Sequence, residues 1–453
     1  MDHETSQRNR RVAIWLLVMC GLVFAMVVLG GVTRLTGSGL SMVDWRPVTG
    51  VLPPLSDDDW QRAFDLYRQS PEFREINAHM DVGAFKGIFW LEYLHRLLGR
   101  LIGIAFVVPF AIFVARGYIA RAEWPRYTLM FLLGGLQGLL GWYMVKSGLV
   151  DLPHVSHYRL TAHLVAAFVI YAYMLWIALS LLFPKTGVGR HAWFGISAMI
   201  TALISVTAVS GGFVAGLKAG KIFNTFPMMG DYWIPPGVLA LEPAWRNFFD
   251  NPATVQLDHR ALAITTFLAV VVFRTLSGRQ SLSPRARSGL NWLFASVVAQ
   301  LALGILTLLW VVPTALAATH QAVAMLVFTA SLFLVHALRE PGPTERQIRI
   351  FHDPLMGDDR FHENSFRRRI AAPVWRPRPS LHVLPHRPAV YRTPDGGRLP
   401  AQCRRQQRRR AGMVVVRAYP VLPLALLLLR MQQNRHPQPC ASKTLSRMPA
   451  PGD

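Results

Sequence analysis

Eight stretches of this chain are long and apolar enough to cross a lipid bilayer, and nothing else restricts its fold so tightly. The hydrocarbon core takes about 20 apolar residues per helix. Backbone groups inside it must be bonded within the protein, which leaves helices or a closed barrel. Runs of helical length begin at Val12, Tyr127, Leu160, Ala192, Leu257, Gly289 and Thr314. An eighth begins near Ile88, although Glu92, Arg96 and Arg100 fall in its first turns. Just over half of the 453 residues are hydrophobic and the mean hydropathy is positive, in keeping with these runs. The expected fold is an all-α membrane protein of eight transmembrane helices.

The net charge of +23 does not describe the membrane region, because about 20 of the arginines follow Pro341, beyond the last run. Nucleic acid is therefore not an expected partner. Within the membrane region, short loops rich in Lys and Arg stay on the cytoplasmic side. Arg8, Arg10 and Arg11 precede run one; Arg116, Arg121 and Arg126 follow run two; Lys185 and Arg190 follow run four. Arg274, Arg279, Arg285 and Arg287 follow run six, and Arg339 follows run eight. The first of the other connections carries Asp57, Asp58 and Asp59. Both termini are thus expected in the cytoplasm. Cys20 falls inside run one, and Cys403 and Cys440 fall in the tail, so no outer-loop disulfide is expected. Residues Met1 to Arg11 lack the length and composition of a mitochondrial presequence, and no small-residue cleavage site follows run one. The expected location is a bacterial plasma (inner) membrane, with lipid all around.

The chain also repeats itself. Run one ends in Gly30-Gly31-Val32-Thr33-Arg34-Leu35-Thr36-Gly37-Ser38-Gly39, and run five in Gly211-Gly212-Phe213-Val214-Ala215-Gly216-Leu217-Lys218-Ala219-Gly220. An aromatic–Pro–x–x–Gly element follows each, as Trp45-Arg46-Pro47-Val48-Thr49-Gly50 and Phe226-Pro227-Met228-Met229-Gly230. Run two holds His95-Arg96 and run six His259-Arg260; run three holds Gln137 and Gly141, and run seven Gln300 and Gly304; run four holds His163 and run eight His320. Because four spans bring the chain back to its starting side, the reading is two four-helix bundles related as parallel repeats. The boundaries are a cytoplasmic segment 1–11, an N-terminal half 12–183, a linker 184–191, a C-terminal half 192–338 and an Arg/Pro-rich tail 339–453. The tail shows no helical or strand period, and Val421 to Leu429 is too short to span. It reads as disordered, and the pattern stops so abruptly near Glu340 that out-of-frame translation is one account of it.

The repeat places one histidine in the early turns of each even-numbered run: His95, His163, His259 and His320. An ionisable ring in a membrane helix is costly and marks function by default. Neutral imidazole is a good ligand for haem iron, and two facing helices of a bundle can supply both axial positions. The repeat pairs His95 with His163 and His259 with His320. The alternative, headgroup-wetted interfacial histidines, suits any one of them better than four placed by a repeat. Glu92 stands one turn before His95 and shares its face. It is read either as a carboxylate that moves protons near a haem or as the partner of Arg96 in an i,i+4 ion pair. Its counterpart in run six is Gln256, which suggests that one site binds and the other reacts. Arg96 and Arg260 suit haem propionates or lipid headgroups. Arg34 and Lys218 are weaker propionate partners. The glycines near the ends of runs one and five are read as structural, allowing turns or close backbone approach.

Together, Glu92-x-x-His95-Arg96-x-x-Gly99-Arg100, His163, Asp258-His259-Arg260, Thr319-His320-Gln321 and Gly30-Gly31-Val32-Thr33-Arg34-Leu35-Thr36-x-Ser38-Gly39-Leu40-Ser41 resemble the haem A synthase family over about residues 12 to 338. The resemblance implies eight helices, two haem sites, and oxidation of a ring methyl of haem O to a formyl group, giving haem A for cytochrome oxidase. It implies that His259 and His320 hold a haem b cofactor (iron protoporphyrin IX). His95 and His163 would face the substrate haem O, with Glu92 as the catalytic carboxylate. A cysteine pair present in the first outer loop of some members is missing here, which places the chain nearer the alphaproteobacterial and mitochondrial branch. Haem O synthase, cytochrome oxidase assembly factors, an electron donor that the sequence does not name, and a second copy of the chain are the partners to consider. Two other functions fit the residues alone: a membrane b-type cytochrome in electron transfer, and a haem transporter or chaperone.

Overall fold

The computed structural model describes residues 3–44, 50–150, 153–185, 187–277 and 282–340. The first aromatic–Pro element, Arg279 and the tail beyond Glu340 lie outside these residues. Eleven α-helices are described: α1 His3–Leu35, α2 Asp57–Arg68, α3 Pro71–Glu75, α4 Val82–Ala115, α5 Trp124–Lys146, α6 His157–Leu182, α7 Phe194–Gly216, α8 Asn247–Asp250, α9 Pro252–Ser277, α10 Pro284–Leu309 and α11 Thr314–Leu338. Eight of them are long and apolar enough to cross a membrane, matching the eight runs of the sequence. Several start a turn or more before the apolar residues do, because polar caps set their ends. Asp81 accepts from the Ala84 N–H at 2.7 Å ahead of α4, and Ser283 accepts from the Ala286 N–H at 3.2 Å with Pro284 in the first turn of α10.

Packing follows a cycle. In the N-terminal half α1 packs on α4, α4 on α5, α5 on α6 and α6 back on α1; in the C-terminal half α7, α9, α10 and α11 make the same circuit. The halves meet where α6 lies on α7 and α11 on α1. The core at this junction is built from Leu16, Met19, Tyr171, Met174, Met325 and Phe328, all buried. Gln321 fixes one seam: its Nε2 donates to the Val27 carbonyl at 2.7 Å, and its side chain lies so close to Gly31 that a β-carbon there would sit 2.4 Å from Oε1. Arg34 extends the junction, donating to the Ala215 carbonyl at the end of α7.

One end of the bundle carries the long connections 36–81 and 217–251. The first is topped by α2 and α3, whose Trp60, Phe64 and Tyr67 bury against Phe85, Phe89 and Tyr93 of α4. This aromatic layer explains why α4 is the longest span: its first three turns serve the cap. Ser56 and Asp59 form a reciprocal capping box, and Asp57 to Asp59 place negative charge at the positive end of the α2 dipole. The opposite end carries Arg116, Arg121, Arg126, Lys185, Arg190, Arg285, Arg287 and Arg339.

Glu72 of α3 is buried under this cap and accepts from the Tyr67 hydroxyl at 3.1 Å. Burial lifts its carboxyl to about 7, with the Tyr67 bond and Lys218 pulling the other way and Glu92 adding to the rise. The folded state therefore holds a proton that the unfolded chain has released, and stability falls as pH rises from about 4.5 to about 7. Glu72→Gln is expected to flatten that slope in detergent-solubilised protein followed by thermal unfolding. An unchanged slope would show that Glu72 does not carry it.

Candidate functional site

The four histidines stand at one level of the bundle. Counted back from the helix ends at Ala115, Leu182, Ser277 and Leu338, they lie about 18–20 residues in, or about 27–30 Å along each axis. That level is nearer the end with the long connections. His95 and His163 interact electrostatically with one another, as do His259 and His320, so each half brings its two rings near each other. They come from α4 and α6 in one half and α9 and α11 in the other, helices that face each other across the cycle rather than packing side by side.

Each ring rests on a glycine of the neighbouring odd-numbered span. A β-carbon at Gly30 would sit 2.8 Å from Cε1 of His95, at Gly141 3.0 Å from His163, at Gly211 3.1 Å from His259, and at Gly304 3.0 Å from His320. At Gly30 the ring would have to shift for any β-carbon to fit, and at the other three it would have to give by a few tenths of an ångström, so glycine lets the rings sit close against these helices. Gly30 and Gly211 take the same place in the repeated run, as do Gly141 and Gly304. Gly30 and Gly211, read from the sequence as structural and allowing close approach, are two of these four seats.

The ring nitrogens differ. Nδ1 of His95, His163 and His320 is buried with no side-chain hydrogen-bond partner among the described residues, whereas Nδ1 of His259 lies 2.8 Å from the Ser210 hydroxyl. Gln137 donates to the His163 carbonyl at 2.9 Å, and Gln300 reaches Nε2 of His320 at 3.4 Å. Among the described residues no group of three or more His, Cys, Asp or Glu side chains is placed to hold a bare metal ion.

Glu92 is fully buried and fully bonded. One carboxylate oxygen accepts from the Ser41 hydroxyl at 2.7 Å and the Met42 N–H at 2.8 Å; the other accepts from Arg96 Nε at 3.0 Å and Nη2 at 2.5 Å. Four donors are the surroundings of an ionised carboxylate. Arg96 also donates to the Met42 carbonyl at 2.8 Å. The pair expected from the i,i+4 spacing is therefore present, and it anchors the connection leaving α1. In the other half Gln256 donates to the Phe223 carbonyl at 3.0 Å. Arg260 donates to the carbonyls of Phe223 at 2.9 Å, Thr225 at 2.9 Å and Met228 at 3.2 Å. Both arginines thus face loop backbone where the sequence suggested propionates or headgroups. Arg34 is likewise engaged, on Ala215.

Three features escape a reading of the sequence. Ser41 and Met42, which hold Glu92, lie in a loop with no period to place them. Gln321 looks like part of a histidine motif and instead ties the halves together. Ser210 precedes its glycine without a polar match in run one, where Leu29 stands.

The chain matches the cytochrome oxidase assembly protein family, COX15-CtaA, over residues 13–332. It belongs to that family. Among its relatives is the haem A synthase of Nitrosospira multiformis, 53% identical over 75% of this chain and 97% of that protein. The Arabidopsis thaliana haem A synthase COX15 is 45% identical over 75% of this chain and 77% of its own, and the human one 45% over 73% and 83%.

Gly211→Val is expected to displace His259 and to lower the haem retained by the purified protein about tenfold or more, the scale seen when groups that orient metal ligands are removed. Gly138→Val is the control, since a β-carbon there meets nothing within 4 Å. Equal haem absorbance in both variants would contradict the role given to Gly211.

Proposed function

We propose that the protein is a haem A synthase, a multi-pass membrane oxidoreductase that converts haem O to haem A by oxidising a ring methyl to a formyl group. The observation that carries this is the pairing of imidazoles: two histidines per half, on helices that face each other across the cycle, at one depth, each seated on a glycine. Such a pair in each half would hold an iron porphyrin, whose iron takes imidazole ligands well. The four glycine–histidine seats also support reading the chain as two parallel repeats.

His259 and His320 are the residues we assign to a resident haem b, which would supply one-electron redox chemistry when bound. His95 and His163 receive the substrate haem O. The asymmetry between halves supports this division, because Glu92 stands one turn from His95 where the other half has Gln256. Glu92 is assigned the catalytic role of accepting protons released as the ring methyl is oxidised. Its ion pair with Arg96 and the bonds from Ser41 and Met42 fix its direction. Arg96 and Arg260 close the connections over the two sites and so limit water at the reacting edge.

The basic residues gathered at the end opposite the long connections support cytoplasmic termini and a site near the outer leaflet of a bacterial plasma membrane. At that depth all four histidines lie on one side, whereas a b-type cytochrome carrying electrons across the bilayer needs haems on both. An apolar substrate also fits delivery from within the membrane by haem O synthase and onward passage towards cytochrome oxidase assembly.

The test is porphyrin extraction from purified protein supplied with haem O. His259→Ala and His320→Ala are expected to lose the resident haem. His95→Ala and His163→Ala are expected to keep it while forming no haem A. Glu92→Gln is expected to lower product formation by about 10²-fold or more, the low end for a lost proton-transfer group. Wild-type haem A from Glu92→Gln would overturn the role of Glu92 alone; no haem A from haem-loaded wild-type protein would favour electron transfer or transport instead.

A further inference from the structure

Of the four imidazoles, His259 is the one whose Nδ1 meets a side-chain hydroxyl among the described residues. Which atom donates depends on the tautomer of His259. The Ser210 hydroxyl also lies 2.8 Å from the Thr207 carbonyl on the preceding turn of α7, which can only accept. With the single hydroxyl hydrogen on Thr207, the remaining lone pair faces His259 Nδ1 at 2.8 Å, and Nδ1 is the donor to Ser210 Oγ. A neutral imidazole protonated at Nδ1 keeps its free lone pair on Nε2, the nitrogen that can bind a metal.

The same place in the first half is different. Ser210 immediately precedes Gly211, the seat of His259; Leu29 immediately precedes Gly30, the seat of His95. Leucine offers no acceptor, and Nδ1 of His95 is buried without one. His163 and His320 have no side-chain acceptor either. The two halves therefore share their ligands and seats but not this supporting bond.

We infer that Ser210 is a positioning residue that fixes the tautomer and orientation of His259, strengthens it as an iron ligand, and makes the C-terminal half the site that retains its haem while the Leu29 half exchanges its own. The inference rests on the assignment of His259 to a resident haem. A hydrogen bond from Nδ1–H makes the imidazole a more basic ligand, which favours ferric over ferrous iron. The first half, lacking the bond at His95, holds its porphyrin less firmly, as suits a substrate that must leave as product.

The experiment uses the full-length protein loaded with iron protoporphyrin IX in detergent. Two quantities are read: the rate of haem transfer to excess apomyoglobin, and the midpoint potential of the bound haem. Ser210→Ala is expected to release haem about tenfold faster and to shift the potential upward, by about 59 mV if the ferric preference falls tenfold. Ser210→Thr, which keeps a hydroxyl, is expected to return both towards wild type, and Leu29→Ala should leave both unchanged. A merely structural role for Ser210 would loosen the haem without the upward shift or the recovery by threonine. If Ser210→Ala matches wild type in both quantities, the inference fails. It also fails if that variant holds haem more tightly at a lower potential, since the hydroxyl would then be donating into Nδ1. Should Ser210→Ala not fold, Ser210→Cys, a weaker acceptor of similar size, is expected to show the same shifts in smaller measure, and wild-type values there would overturn the inference. His259→Ala separates the two levels: haem retained in that variant overturns the site assignment itself. Haem lost there, with Ser210→Ala unaffected, overturns only the role of Ser210.

Discussion

An imidazole within a membrane helix has to be matched by something, since neither lipid nor a neighbouring apolar helix can satisfy its nitrogens. Four such rings at one depth set the terms for the rest of the structure. They need helices that approach closely behind them and stand apart in front. Glycine provides the first condition at Gly30, Gly141, Gly211 and Gly304. The cycle of packing in each half provides the second, keeping α4 from α6 and α9 from α11. A β-carbon at any of the four would crowd the ring that rests there, most of all at Gly30.

Above this level, the charged residues of the spans are spent on the loops. Arg96 and Arg260 occupy like places one residue after their histidines, and both hold the carbonyls of the connection that leaves the preceding odd-numbered span. The difference lies one turn earlier. Glu92 brings a negative charge into the first half, and the loop meets it with N–H and O–H donors; Gln256 brings an amide into the second, and the loop meets it with a carbonyl. A single change of residue type thus reverses the polarity of one loop contact while leaving the scaffold alike.

The fold was largely legible because its signals are periodic. The eight apolar runs, the histidine at each even run and the glycines at each odd run can be read without coordinates, and so can the Glu92–Arg96 spacing on one helical face. What could not be read depends on contacts between distant segments. Arg96 and Arg260 offered the same charge to a propionate, a headgroup or a carbonyl, and only the path of residues 41–42 and 223–228 decides among these. Helices start ahead of their apolar runs for a related reason: Asp81 and Ser283 cap them through hydrogen bonds that hydropathy does not register. Ser210 is the hardest case, since a serine in an apolar run usually bonds its own backbone, and this one does so while also meeting His259.

The seam between α1 and α11 bears on how the protein is made. Gln321 and Val27 are joined across almost the whole length of the described chain, so this tie forms only after the last span has entered the bilayer. The first span, which also packs on α4 and α6, can meet those neighbours earlier in synthesis. Its junction with α11 is therefore among the last helix contacts that the growing chain can close.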